Sequence, residues 1–169
     1  MPGASLNWAL PARPAGGVRT LTRRVVVRQG LQETFRFFAD AANLQRITPE
    51  WLDFRILTPL PIEMKVGAEL QYVIRLHGIP IRWRTVIDAW EPGVRFVDRQ
   101  VAGPYRWWHH EHRFRAVAEG TEVEDRVEYA APFAWLTEPL LVRRDLRRIF
   151  DHRSRAIVES CCGGRERGR

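Results

Sequence analysis

Residues 103–129 read GPYRWWHHEHRFRAVAEGTEVEDRVEY, and this stretch decides the fold. Its two arms, about Tyr105 to Val117 and Thr121 to Ala130, alternate in character with period two, the repeat of a β-strand. The break between them is short, and strands joined by a short turn are antiparallel neighbours. Counting in twos from Phe114 puts Trp108, His110, His112 and Phe114 on one face of the first arm. The matching face of the second arm takes Thr121, Val123, Asp125, Val127 and Tyr129. With a four-residue loop over Val117 to Gly120, His112 falls opposite Asp125, His110 opposite Val127 and Phe114 opposite Val123. A two-residue slip would still leave His112 diagonal to Asp125. A carboxylate on a half-buried face needs a partner, because an isolated buried charge is strongly unfavourable. His112 is the obvious one.

Working outward, the flanking chain repeats the strand pattern. Leu21 to Arg28 carries Val25, Val26 and Val27, β-branched and short, and reads as a first strand. Leu31, Thr34, Phe35 and Phe38 then recur at helical spacing over Leu31 to Ala39. A second helical turn spans Ala41 to Ile47, with Asp40 as its cap, and Thr48-Pro49 ends it, since the residue before proline leaves the helical region. Period two returns in Phe54 to Leu57, Ala68 to Leu76, Ile81 to Trp90 and Val94 to Val101. His77-Gly78, Glu91-Pro92-Gly93 and Gly103-Pro104 are the turns. In Ile81 to Trp90 the set Ile81, Trp83, Thr85, Ile87 and Ala89 opposes Arg82, Arg84, Val86, Asp88 and Trp90. Thr137 to about Glu159 is the one long helix, capped by Thr137, with Pro139 tolerated in its first turn. Val142, Leu146, Ile149, Phe150 and Ile157 form its apolar stripe, bordered by Arg143, Arg144, Arg147, Arg148 and Arg155, so one face covers a sheet and the other meets water. The sum is an α+β domain: an antiparallel sheet of about six to seven strands, two short helices after the first strand, and a long C-terminal helix.

The chain has 169 residues, a length that predicts a single domain with a sizeable core. Residues 1–18, rich in Ala, Pro and Gly, read as a flexible leader, residues 19–160 as the domain, and residues 161–169 as a flexible basic tail. Neither a secretion signal nor an apolar run of membrane-spanning length is recognised. The net charge is +7 and the pI about 10.6. Arginine supplies nearly all of the positive charge, Lys65 being the only lysine, and acids such as Glu122, Glu124 and Asp125 interleave with it. A nucleic-acid partner is therefore not expected, while a peripheral membrane contact through Arg144, Arg147 and Arg148 stays open. Cys161 and Cys162 are adjacent and near the end, a poor pair for a disulfide and without zinc spacing, so the cytoplasm is the expected compartment. Nucleotide, EF-hand and serine-hydrolase motifs are absent from the sequence.

Several local motifs, in this order, resemble the START/polyketide-cyclase-like (SRPBCC) superfamily, whose fold is the helix-grip. They are Ile47-Thr48-Pro49, Trp90-Glu91-Pro92, Phe96-Val97-Asp98, Gly103-Pro104-Tyr105, the alternation Trp108, His110, His112, Phe114, and Asp125 to Tyr129. The resemblance covers about Thr20 to Val158 and is nearest to small bacterial members known as ligand-binding or cyclase/dehydrase-like. It implies a curved sheet wrapped around the long helix, with a cavity between them for a hydrophobic small molecule or lipid. It does not imply one reaction.

The candidate ligand-binding residues are Trp83, Phe96, Asp98, Gln100, Trp108, His110, His112, Phe114, Tyr129, Leu146 and Phe150. Asp98 and Gln100 share a strand face with Phe96; they either add polar groups to the lining or face water. Trp51 and Trp135 would flank the opening, by family analogy. The candidate catalytic pair is His112 with Asp125, the carboxylate orienting the imidazole and raising its pKa. The competing reading, given more weight, is that the pair satisfies two buried polar groups and fixes strand register. His110 and His112 share a face, and His-x-His on a strand is a metal-ligand pattern whose third ligand would be Asp98 or Asp125. The sequence reading favours two cavity-lining or core histidines, hence no metal and no cofactor. The expected function is binding of a hydrophobic small molecule or lipid without chemistry. A cyclase or dehydratase is the runner-up, an anionic-membrane or nucleic-acid adaptor the third reading, and oligomeric state is left open.

Overall fold

The computed structural model describes residues 12–133 and 141–162. Seven strands make one antiparallel sheet: β1 Arg19–Val27, β2 Arg55–Ile56, β3 Glu69–Leu76, β4 Ile79–Glu91, β5 Arg95–Ala102, β6 Trp107–Val117 and β7 Gly120–Ala130. Between β1 and β2 lie α1, Leu31–Ala39, α2, Asn43–Arg46, and a 3-10 turn at Glu50–Leu52. The last element, α3, is Arg143–Cys162. Thr137, Pro139 and Trp135 lie outside the described residues, and α3 runs to Cys162 rather than ending near Glu159.

The sheet order is β1-β7-β6-β5-β4-β3-β2. Strands β2 to β7 are sequential neighbours, as hairpin connections require, and β1 closes on the far side of β7. The whole sheet therefore hangs on the β6–β7 hairpin, which has the expected register: His112 opposite Asp125, His110 opposite Val127 and Phe114 opposite Val123. Its turn is tighter than a four-residue loop, since Val117 and Gly120 already pair. Gly120 has φ +140°, and a Cβ there would stand 2.1 Å from the Val27 carbonyl oxygen, so the hairpin end seats against β1 only with glycine.

One parity expectation fails. Ile87 pairs with Asp98 and Ala89 with Val97, which leaves Asp88 as a bulge in β4. A bulge inserts one unpaired residue and reverses the face of everything after it. Trp90, expected outward, thus packs on Phe96 and Phe35 at centroid distances of 5.4 and 5.2 Å. Asp88 itself holds the Arg99 guanidinium through two hydrogen bonds of 3.0 and 2.9 Å.

Leu146, Phe150 and Ile157 of α3 are buried. Their burial removes roughly 1.5–3 kcal/mol worth of apolar surface each from water. One core cluster gathers Phe35, Phe38, Phe96, Phe114 and Ile157; the other gathers Phe54, Trp83, Trp108, Leu146 and Phe150. No helix among the described residues is long and apolar enough to cross a membrane.

Candidate functional site

A cavity of about 360 Å³ is lined by residues of α1, α2, β3, β4, β5, β6 and α3. Leu70, Ile74, Trp83, Ile87, Phe96, Trp108, Leu146 and Phe150 are among its apolar walls. Charged side chains reach it in two main groups. Asp98, His110, His112 and Arg153 form one, and His77 with Asp145 the other.

The first group is built from facing elements. Strands β5 and β6 put Asp98 directly opposite His110 and Phe96 opposite His112, and β6 and β7 put His112 opposite Asp125. The two imidazoles are in contact, tilted by 42° with centroids 3.8 Å apart. Phe96 stacks on His112 at 4.1 Å, and Phe150 of α3 meets His110 edge-on at 5.3 Å. Each imidazole bridges the same two carboxylates. His110 Nε2 hydrogen-bonds Asp125 Oδ1 at 3.0 Å, and its Nδ1 lies 3.5 Å from Asp98 Oδ2. His112 Nε2 hydrogen-bonds Asp98 Oδ2 at 3.1 Å. Its Nδ1 lies 2.7 Å from Asp125 Oδ1, close but outside the angular range of a hydrogen bond. From α3, Arg153 Nε donates to Asp125 Oδ2 at 3.2 Å.

Charge and burial set the protonation of this group. Burial and the neighbouring His112 charge hold His110 down to about 4, although Asp125 and Asp98 favour its cation. Burial also opposes charging of His112, but the carboxylates of Asp125 and Asp98 outweigh it, and its pKa is raised. Asp125 resists burial because Arg153 and the two histidines hold its carboxyl well below the usual carboxylate range. Asp98 is likewise lowered against its burial, chiefly by His112 and His110. With His110 neutral, one imidazolium and one guanidinium balance two carboxylates. A buried set of this size is tolerable only near net neutrality.

The second group joins the β3–β4 turn to α3. His77, held at φ +49° before Gly78, places Nε2 2.7 Å from Asp145 Oδ2. The sequence shows His77 only as a turn residue, and nothing in it singles out Asp145.

Of the expected binding residues, Trp83, Phe96, Asp98, Trp108, His110, His112, Leu146 and Phe150 line the cavity. Gln100, Phe114 and Tyr129 do not. Gln100 is buried behind the wall, where its side-chain amide donates to the Tyr105 carbonyl and its carbonyl accepts from the Tyr105 amide, so it closes the β5–β6 turn. Phe114 packs between Phe35 and Phe38 at centroid distances of 5.1 Å from each. Tyr129 sits behind Tyr105 at 6.0 Å. Asp125 is one layer deeper than the wall and orients the histidines from behind. Arg153 is a site residue that the sequence expectations do not include. The signal is available: the stripe Leu146, Phe150, Ile157 leaves a gap of seven residues, and Arg153 stands at its midpoint, three past Phe150 and four before Ile157. Trp51 is 44% exposed, with the Arg148 guanidinium 5.2 Å over its ring, at the edge of the cavity beside Leu52.

A family model described as "Domain of unknown function (DUF8410)" matches residues 53–160. The chain belongs to this family. The matched span of this DUF8410 member holds β2 to β7 and nearly all of α3, and with them Asp98, His110, His112, Asp125 and Arg153. No curated protein matches the sequence. Among solved structures, TTHA0849 of Thermus thermophilus superposes with a TM-score of 0.69 at 14% identity, over 88% of this chain and 99% of that one. Ginseng major latex-like protein 151 from Panax ginseng gives 0.62 at 12% identity, over 86% and 99%. The di-domain ARO/CYC StfQ from the steffimycin biosynthetic pathway gives 0.65 at 14% identity, over 86% of this chain and 52% of StfQ. At such identities the likeness concerns the fold, which is the helix-grip fold expected from the sequence.

Proposed function

We propose that the chain binds a hydrophobic small molecule or lipid in the cavity, with one polar end of the ligand against Asp98, His110, His112 and Arg153. The observation that carries this reading is the combination of a mostly apolar lining with the charged cluster Asp98, His110, His112 and Arg153 gathered in its wall, apart from the His77–Asp145 pair. A volume of about 360 Å³ lies within the range of small-molecule sites, in which a few polar groups orient an otherwise apolar ligand. The helix-grip relatives, which include a di-domain ARO/CYC, are compatible with such binding and with cyclisation chemistry alike.

A titration with 1-anilinonaphthalene-8-sulfonate, an apolar aromatic anion, tests the reading. One saturable site is expected, weakened at least tenfold by Val142→Trp, which fills the cavity from a half-buried wall position. Absence of saturable uptake, or an unchanged affinity in a folded Val142→Trp variant, would overturn it.

The second reading is a cyclase or dehydratase in which His112 moves a proton. The observation favouring it is that His112 lies on the cavity wall between two carboxylates, at 3.1 and 2.7 Å, an arrangement that orients an imidazole for acid–base work. Its test is incubation of an isolated ligand with the protein. Conversion that is lost in His112→Gln, with binding kept, supports the reading, and recovery of the ligand unchanged refutes it.

A further inference from the structure

The two histidines and two carboxylates have more close approaches than protons to fill them. Four nitrogen–oxygen separations of 2.7, 3.0, 3.1 and 3.5 Å link His110 and His112 to Asp125 and Asp98. A neutral imidazole carries one N–H, so two neutral rings fill two of the four. All four would need both rings charged, and that sets two imidazolium ions against each other with centroids 3.8 Å apart in a buried site. With one ring charged, one nitrogen lone pair still points at a carboxylate oxygen. Two of the four are hydrogen bonds, His110 Nε2 to Asp125 at 3.0 Å and His112 Nε2 to Asp98 at 3.1 Å, while His110 Nδ1 faces Asp98 Oδ2 at 3.5 Å and His112 Nδ1 lies near Asp125 at a poor angle. Converging lone pairs on a cavity wall are the environment of a cation.

We propose that Asp98 Oδ2, His110 Nδ1 and His112 Nε2 bind one divalent first-row transition ion, such as zinc or iron(II), at the cavity wall. One donor atom from each of the three residues lies within 4.8 Å of the other two. Of the two separations to Asp98 Oδ2, 3.1 Å falls within the ligand–ligand spacing of about 3.0–3.4 Å that bonds of about 2.0–2.1 Å produce, and 3.5 Å lies just beyond it. Two imidazoles and one carboxylate, on adjacent strands and open to a cavity, are a donor set suited to such ions, with positions left for a ligand.

The surroundings fit as well. A metal-bound histidine ordinarily gives its other ring nitrogen to a carboxylate, which fixes the tautomer. Here Nε2 of His110 hydrogen-bonds Asp125 Oδ1 at 3.0 Å, and Nδ1 of His112 lies 2.7 Å from the same oxygen, short of hydrogen-bond alignment. Arg153 binds the other oxygen of Asp125 at 3.2 Å and keeps that carboxylate out of the site. Among the described residues, the ion-pair partners of Asp98 are the two imidazoles alone. The two carboxylates therefore have separate roles, Asp98 as ligand and Asp125 as the positioning group. The inference goes beyond hydrophobic binding and does not depend on it.

The test is titration of the full chain, stripped by a chelator, with cobalt(II) chloride and with zinc chloride, no organic ligand being present. One equivalent is expected, with cobalt giving visible d–d bands, and with zinc moving the ring ¹⁵N resonances of His110 Nδ1 and His112 Nε2 while those of His77, His109 and His152 stay in place. Asp98→Asn is expected to abolish the stoichiometric site, and Asp125→Asn to weaken it about 10- to 100-fold. Wild-type protein that binds neither ion saturably, or zinc that leaves the His110 and His112 resonances unmoved, overturns the proposal even where a variant fails to fold. Because the titration uses metal alone, a negative result leaves the binding of apolar molecules standing, and loss of that binding leaves the metal site standing.

Discussion

Replacing Asp125 with asparagine preserves the shape of the side chain and removes the charge on which three others depend. The carboxylate accepts from His110 at 3.0 Å and from Arg153 at 3.2 Å, and it lies 2.7 Å from His112. An amide in its place keeps one acceptor oxygen and turns a donor NH₂ toward groups that are themselves donors. Hydrogen bonds to charged groups contribute about 1.5–3 kcal/mol each, and breaking a buried ion pair on one side costs about 3–5 kcal/mol, because the other charge stays buried. The expected loss is therefore about 3–5 kcal/mol. In a chain of this length each kcal/mol moves the melting midpoint by about 2–4 °C, so a fall of roughly 6–20 °C follows. Urea unfolding at pH 7 with chelator present measures it, and a double-mutant cycle with Arg153→Met separates the pair from the rest. The two losses should fall short of additivity by at least about 1 kcal/mol, since the second substitution removes the stranded cation. A loss under about 1 kcal/mol for Asp125→Asn, or strict additivity in the cycle, would refute the reasoning.

In metal-free protein, stability should peak near the ordinary histidine pKa of about 6.5. Below it the unfolded chain protonates His110 while the folded chain holds that ring neutral to about 4, so stability falls with pH, by an amount on the order of 3 kcal/mol over that span. Above it the stability contributed by charged His112, fully present below 6.5, is lost as pH rises through its raised folded value. The lowered carboxyls of Asp125 and Asp98 add a further loss only below the unfolded carboxylate value of about 3.9. Urea midpoints between pH 4 and 8 check the bell, and His110→Gln should flatten its acid side; a monotonic profile contradicts it. Gly120→Ala should destabilise by about 1–3 kcal/mol, because φ +140° and the Val27 carbonyl both exclude a Cβ, and a midpoint within 1 °C of wild type would count against that hairpin geometry. Arg144, Arg147 and Arg148 are exposed along α3, the last stacked on Trp51. If that face meets anionic membranes, binding to phosphatidylserine vesicles is salt-sensitive and falls at least tenfold in the triple glutamine variant; equal binding to neutral vesicles rules the surface out.

Much of this arrangement is legible in the sequence because a hairpin has few degrees of freedom. Alternation from Phe114 and a short turn ending at Gly120 fix the buried faces and leave His112 opposite or diagonal to Asp125, and the register formed is the directly opposite one. The bonding inside that register is less legible. Side chains reach diagonally as well as across, so His110 bonds Asp125 and His112 bonds Asp98, a partner that depends on the β5–β6 register. Trp90 is misplaced by parity because periodicity cannot announce a bulge at Asp88. Arg153 escapes a helical stripe read from apolar residues alone, while a cation three residues after Phe150 occupies the same face and is buried by its counter-charge. Gln100, Phe114 and Tyr129 have inward parity but stand behind other side chains, and parity distinguishes faces, not depths.

The central claim is that the cavity holds a hydrophobic molecule with one polar end. Native mass spectrometry of freshly purified full-length protein tests it most directly. The account predicts an adduct of small-molecule mass on the folded ions, released on denaturation and identified as an apolar compound with a single polar head, and diminished in Val142→Trp. Folded ions of the bare chain alone, from protein that also fails to take up 1-anilinonaphthalene-8-sulfonate, would contradict it.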